Sequence, residues 1–167
     1  MSLSRRKKRE ARRKTVRAAV VAFENRENVH YTQGAARWSG IDNYRRAYKG
    51  QYPNYADCSA FTTWCFWDGC KEYINDGLMP GRDGDFVNNL WWKYGFTGTQ
   101  IQNGFRVGLD DLKLADLIFY GRDGNGNPTH VAIYVGDGKV ISHGSEGGPY
   151  LLYYNYRFIN QARRYIK

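Results

Sequence analysis

The sequence predicts an α+β fold, with helices first and an antiparallel β-sheet after them, on three observations. Val16, Ala19, Val20 and Phe23 recur at the i, i+3, i+4, i+7 spacing of one helix face. The segment CSAFTTWCFWDGC, residues 58–70, follows Asp57 and holds no helix breaker before Gly69. From residue 117 onward the pattern changes to short apolar, β-rich runs punctuated by glycine turns.

In chain order, the first helix ends near Asn25 or Asn28, and the basic residues before Val16 form its frayed or extended start. Residues 30–56 hold Gly34, Gly40, Gly50 and Pro53 among many tyrosines and follow neither period, which predicts an ordered loop region. Asp57 is a preferred N-cap because its carboxylate can accept from first-turn amides, so Cys58 takes the first helical position. Asp83 or Asp85 can cap a further helix over 86–94, with Gly95 as its stop. Residues 117–120, 130–135, 140–143, 150–154 and 162–166 read as strands, and Asp137-Gly138 between two of them is a strong hairpin signal.

A chain of 167 residues is one domain's worth and can bury roughly 70% of its unfolded surface. With 42% hydrophobic and 16% aromatic residues, its composition excludes a disordered protein. The net charge of +9 is unevenly spread. Residues 1–17 carry nine bases (Arg5, Arg6, Lys7, Lys8, Arg9, Arg12, Arg13, Lys14, Arg17) against Glu10, so +8 of the +9 sits there. Attraction to nucleic acid, anionic lipid or an anionic wall polymer is therefore assigned to this basic arm, residues 1–28, and not to the domain over 29–167. The apolar run 18–23 is too short for a secretory h-region and meets Glu24, and no stretch of about 18 apolar residues exists to span a membrane. Synthesis in a cytoplasm without a built-in export signal is expected.

Cys58, Cys65 and Cys70 are odd in number and lack CxxC spacing, which argues against a disulfide scaffold and a zinc ribbon. A thiol at a helix N-terminus gains from the positive end of the macrodipole, which lowers its pKa, and it lies beside amides able to hold an oxyanion. Cys65 and Cys70, deeper in the same helix, read as packing residues. His30, His130 and His143 are the only histidines. A two-residue Asp137-Gly138 turn pairs Ala132 with His143, which makes His130 and His143 diagonal neighbours on one face. That supplies a nucleophile, a base and a group that orients the base.

The strings Asp57-Cys58-Ser59-Ala60-Phe61, Asp116-Leu117-Ile118-Phe119-Tyr120 and His130-Val131-Ala132-Ile133-Tyr134-Val135-Gly136-Asp137-Gly138-Lys139 together resemble the NlpC-type cysteine peptidases, which cleave peptides of bacterial peptidoglycan. The resemblance runs from about residue 29 to the C-terminus and implies a papain-like fold, Cys58 as nucleophile and His130 as general base. Tyr31-Thr32-Gln33-Gly34 resembles the family's Tyr-x-x-Gly stretch, which implies Tyr31 as an active-site tyrosine. With Asp57 and Ser59 beside Cys58, Tyr31 forms the expected oxyanion and substrate set. Ala60 and Ala115 replace family glycines, and both are small enough to be tolerated. An ungapped alignment puts Ser142 at the third polar position, as would a three-residue or bulged turn. The two-residue turn puts His143 there, and His143 is the expected third residue because imidazole is the better orienter.

The resemblance implies a monomeric hydrolase, needing no metal or cofactor, that cuts the stem peptide between D-glutamate and the diamino acid. A small wall hydrolase without an export signal resembles a phage lysin or virion-associated lytic enzyme acting at the cell wall. The rivals are a CHAP-type N-acetylmuramoyl-L-alanine amidase or endopeptidase, with the same Cys-then-His order, and a non-catalytic wall- or nucleic-acid-binding module. The basic arm reads as an accessory whose removal, residues 1–17, leaves peptide turnover intact.

Overall fold

In the computed structural model, which describes residues 3–41, 52–74, 84–144 and 147–167, Ser4 accepts the Lys7 amide at 3.3 Å and opens α1 (Arg5–Glu24). Ala11, Thr15, Ala18, Ala19 and Ala22 form the buried face of this helix. Such small side chains allow a close approach to α2 (Cys58–Ile74), and a Cβ built on Gly69 would lie 2.4 Å from the backbone nitrogen of Thr15. Gly69 therefore does not end α2. It marks the place where two helix backbones touch.

The basic start of the chain is thus neither frayed nor a separate arm. Leu3 is buried, and Arg12 Nη2 donates to the Ile166 carbonyl at 2.6 Å, fastening α1 to the end of the chain. Removing residues 1–17 would strip Leu3, Ala11 and Thr15 from the core, a structural role the sequence did not reveal because small residues signal burial weakly and basic ones masked the pattern.

Short β1 (His30–Tyr31) and β2 (Tyr55–Ala56) pair in parallel and hold the chain just ahead of α2. A one-turn helix, α3 (Thr97–Gln100), precedes the main sheet. Its strands are β3 (Phe105–Val107), β4 (Leu117–Tyr120), β5 (His130–Gly136), β6 (Lys139–His143), β7 (Pro149–Tyr153) and β8 (Ile159–Arg164), all antiparallel in the order β3-β8-β4-β5-β6-β7. Leu117, Phe119, Val131, Ile133 and Ile141 pack with α1 and α2, while Ile118, Tyr120, Ala132, Val140 and Ala162 form a second cluster with the alternate parity.

The β5–β6 hairpin turns as expected but does not keep the expected register. Asp137 and Gly138 have φ of 52° and 72°, a two-residue turn with both central residues left-handed, and Gly136 pairs with Lys139. One step on, Tyr134 pairs with Val140 and Ile133 with Ile141, so Val135 and Gly136 face a single residue. This is a β-bulge, and Gly136, at φ 98°, supplies the backbone freedom for it. The one-residue slip turns Ser142 toward the face of His130 and takes His143 away from it.

The helix expected over 86–94 is absent. Asp85 accepts the amides of Val87 and Asn88 at 3.1 and 2.9 Å, as a cap would, but Asn89 at φ 55° turns the chain out of the helix and turns and bends follow. Asp83 lies outside the described residues. The last expected strand, 162–166, begins three residues earlier and ends at Arg164.

Asp116 receives Arg164 in a bidentate pair, with Nε and Nη2 each at 2.8 Å, and both side chains are buried. The residue before it, Ala115, sits at φ 70°, where a Cβ crowds the backbone. Ala115→Gly should therefore raise unfolding free energy by about 1 kcal/mol in urea denaturation. Gly69→Ala should lower it by about 1–3 kcal/mol, because a methyl group there meets Thr15 backbone.

Candidate active site

The α2 N-terminus is built around Asp57. Its Oδ1 accepts the Ala60 amide at 2.7 Å and the Ser59 hydroxyl at 3.0 Å, and its Oδ2 pairs with Arg37 at 3.2 Å. Asp57 is a cap held by an arginine, and the Ser59 hydroxyl is turned back into that cap. The Ser59 backbone amide instead favours the thiolate of Cys58 by a hydrogen bond, as does the amide of Val131. Thr97 Oγ1 lies 3.9 Å from Cys58 Sγ.

The sulfur is thus set against the Val131 amide, one residue after His130 on β5, and it lines a cleft of about 650 Å³. Phe96, Thr97 and Gly98 line the cleft on one side and the 126–129 loop on another, with Gln33, Gln102, Asn160 and Gln161 adding carboxamides. Tyr31 pairs with Ala56 across the small sheet, just before Asp57, and its hydroxyl accepts Gln33 Nε2 at 3.1 Å.

His130 Nε2 is 2.7 Å from Ser142 Oγ, which is in turn 3.1 Å from the Tyr156 hydroxyl. Tyr120 stacks obliquely near the imidazole, with ring centroids 5.9 Å apart. His143 is elsewhere: its Nε2 meets the His30 carbonyl at 3.3 Å and its ring packs on Tyr31 and Phe61. The expected His143 is thus replaced at His130 by Ser142, because of the bulge. His143 ties β6 to β1 instead. His30 itself is exposed and lies near the Tyr55 ring.

The charge state also differs from expectation. Burial, followed by the charge of Asp57, pushes the Cys58 thiol up to about 11, outweighing the amides that favour the thiolate. Burial, helped by Arg157 and His143, pushes His130 down to about 4. At neutral pH the site rests as thiol and neutral imidazole. Tyr156, Thr97 and the Val131 amide were missed from sequence: no motif marks the first two, and a backbone amide carries no residue-type signal.

The family model described as NlpC/P60 matches residues 43–150, more than half of the chain. The chain belongs to the NlpC/P60 family. A γ-D-glutamyl-L-lysine dipeptidyl-peptidase of Bacillus cereus is 39% identical over 86 residues, covering 51% of this chain and 20% of that protein. The chain therefore spans about a fifth of the curated relative it matches. A solved NlpC/P60 family protein of Bacillus cereus superposes with a TM-score of 0.50 at 29% identity, covering 69% of this chain and 33% of that one. The peptidoglycan hydrolase RipB of Mycobacterium tuberculosis gives 0.62 at 23% identity over 99% of this chain and 69% of the other, a likeness of fold. These structures confirm the α+β papain-like class that the sequence led us to expect of this NlpC/P60 chain.

Iodoacetamide on the native protein should label Cys58 alone, since Cys65 and Cys70 are fully buried, and the labelling rate should climb with pH toward about 11 without a plateau near neutrality. Peptide mass mapping reads both. Because His130 is lowered from 6.5 to about 4, the unfolded chain takes up a proton there that the native protein refuses. Stability should fall by about 3 kcal/mol at most as pH drops through that window, and His130→Asn should flatten the dependence in urea titrations.

Proposed function

We propose that this chain hydrolyses an amide bond in peptidoglycan stem peptides, with Cys58 as nucleophile and His130 as general base positioned by Ser142. The observation that carries the reading is the contact of His130 Nε2 with Ser142 at 2.7 Å, on a strand whose second amide touches a cleft-lining cysteine. Family membership and the B. cereus relative support the substrate class, and the name of that relative favours the bond between D-glutamate and the diamino acid.

With Nε2 engaged by Ser142, Nδ1 is the nitrogen left for the thiol. Both groups rest neutral, so the proton moves to His130 as sulfur attacks the carbonyl carbon, rather than from a standing ion pair. The Ser59 amide, at the helix start beside the sulfur, is a donor available to the developing oxyanion, and Tyr31 lies on the strand paired with the residues just before α2. The C–N bond then breaks, the amine leaves with the proton from His130, and water hydrolyses the thioester back to thiol and acid. Tyr156 steadies Ser142, and Asp57, bound to Arg37, keeps the helix start in place.

Digestion of defined muropeptides, followed by mass spectrometry, tests this. Cys58→Ala should abolish turnover. Ser142→Ala should lower kcat by roughly 10²-fold while leaving KM near wild type, since it withdraws support from the base. His143→Ala should act mainly through stability. Fragments ending at N-acetylmuramic acid rather than at D-glutamate would overturn the assignment of the bond, and an active Cys58→Ala would overturn the mechanism.

A further inference from the structure

Outside the cleft, the outer face of α1 is strongly basic, since residues 1–17 carry +8 of the net charge of +9. Arg6, Arg9, Arg13 and Arg17 follow one another at spacings of three, four and four residues, which stacks them along one side of the helix. All four are exposed, and they lie opposite the buried row Ala11, Thr15, Ala18, Ala19, Ala22. At 1.5 Å per residue the row is about 16 Å long.

Packing on α2 fixes the helix, so the guanidinium groups are presented by rigid backbone and not by a tail. Among the described residues none of the four enters an ion pair. Glu10, the acid within the row, is drawn to Lys14 at 3.3 Å, and Lys14 also reaches Glu72 at 2.8 Å. Among the described residues the four arginines are left uncompensated. Arg6, Arg9, Glu10 and Arg13 line a groove of about 410 Å³ that shares no residue with the Cys58 cleft.

We infer that this arginine ridge docks a linear phosphodiester polyanion, one whose phosphates can be gripped in a single row and which need not supply bases. Arginine is suited to the task because its planar fork binds phosphate oxygens bidentately. Among the described residues α1 exposes no large hydrophobic side chain, so the ridge has neither an aromatic platform for bases nor a wedge for a bilayer. The ridge acts independently of the reading of the cleft.

The test uses the full chain and three probes: poly(glycerol phosphate), a short duplex DNA, and vesicles containing anionic phosphatidylglycerol, matched in phosphate. Wild type should bind poly(glycerol phosphate) more tightly than the other two, with affinity falling as salt rises at a log–log slope of roughly −3 for four single-row contacts. Converting Arg6, Arg9, Arg13 and Arg17 to Gln should weaken binding at least tenfold and flatten the slope. The matching four-Lys variant should recover only part, since it restores charge without the fork. Thermal unfolding and turnover of a short soluble muropeptide should be unchanged in both variants, which separates failure of the ridge from failure of the cleft assignment. Undiminished binding by the Gln variant, no binding of poly(glycerol phosphate) by wild type at low salt, or tighter binding of DNA or vesicles would each overturn the inference.

Discussion

One extra residue in β5 decides what the site contains. The two strands of the β5–β6 hairpin leave the Asp137-Gly138 turn in step, and the bulge at Val135 and Gly136 puts them out of step by one. Everything beyond it in β6 is thereby turned over. Ser142 comes to His130 and connects it to Tyr156, while His143 goes to the helix side against Phe61 and Tyr31. Had the ladder continued in the register set by the turn, an imidazole would have faced His130 and a serine would have faced the core. The glycine at φ 98° carries this difference, because a side chain there would strain the backbone that makes the slip.

A second constraint works from behind. The sulfur sits at the tip of α2, and that tip is held on three sides: by Asp57 folded over the first amides, by Arg37 on the outer carboxylate oxygen, and by the β1–β2 pair that delivers the chain. The body of α2 is held in turn by α1, whose alanine face closes on Gly69. Helix placement and strand register are set by different contacts, and the cleft lies where the two meet.

Much of this was legible in the residues. The Asp57 cap, the helix after it, the hairpin and the order of helices before strands follow from local chemistry and period, and so do the places of Cys58 at a helix start and His130 at a strand start. The bulge was not, because a glycine directly before Asp-Gly reads as part of the turn until the pairing above it is known. Nor was the packing of α1, since alanine and threonine among nine arginines and lysines show little apolar contrast. The region after Asp85 has a helix's start signal and helix-permitting residues, yet Asn89 adopts a left-handed conformation that its type allows without requiring. The depressed basicity of His130 and the raised thiol of Cys58 come from burial, which depends on long-range folding that no nearby residue announces.

Burial that keeps the Cys58 sulfur protonated bears on its redox chemistry as well. Peroxide and other oxidants attack the thiolate, so a protonated, nearly enclosed sulfur is a poor target for conversion to sulfenic acid. The same burial that raises the Cys58 thiol therefore also shields its sulfur from oxidation.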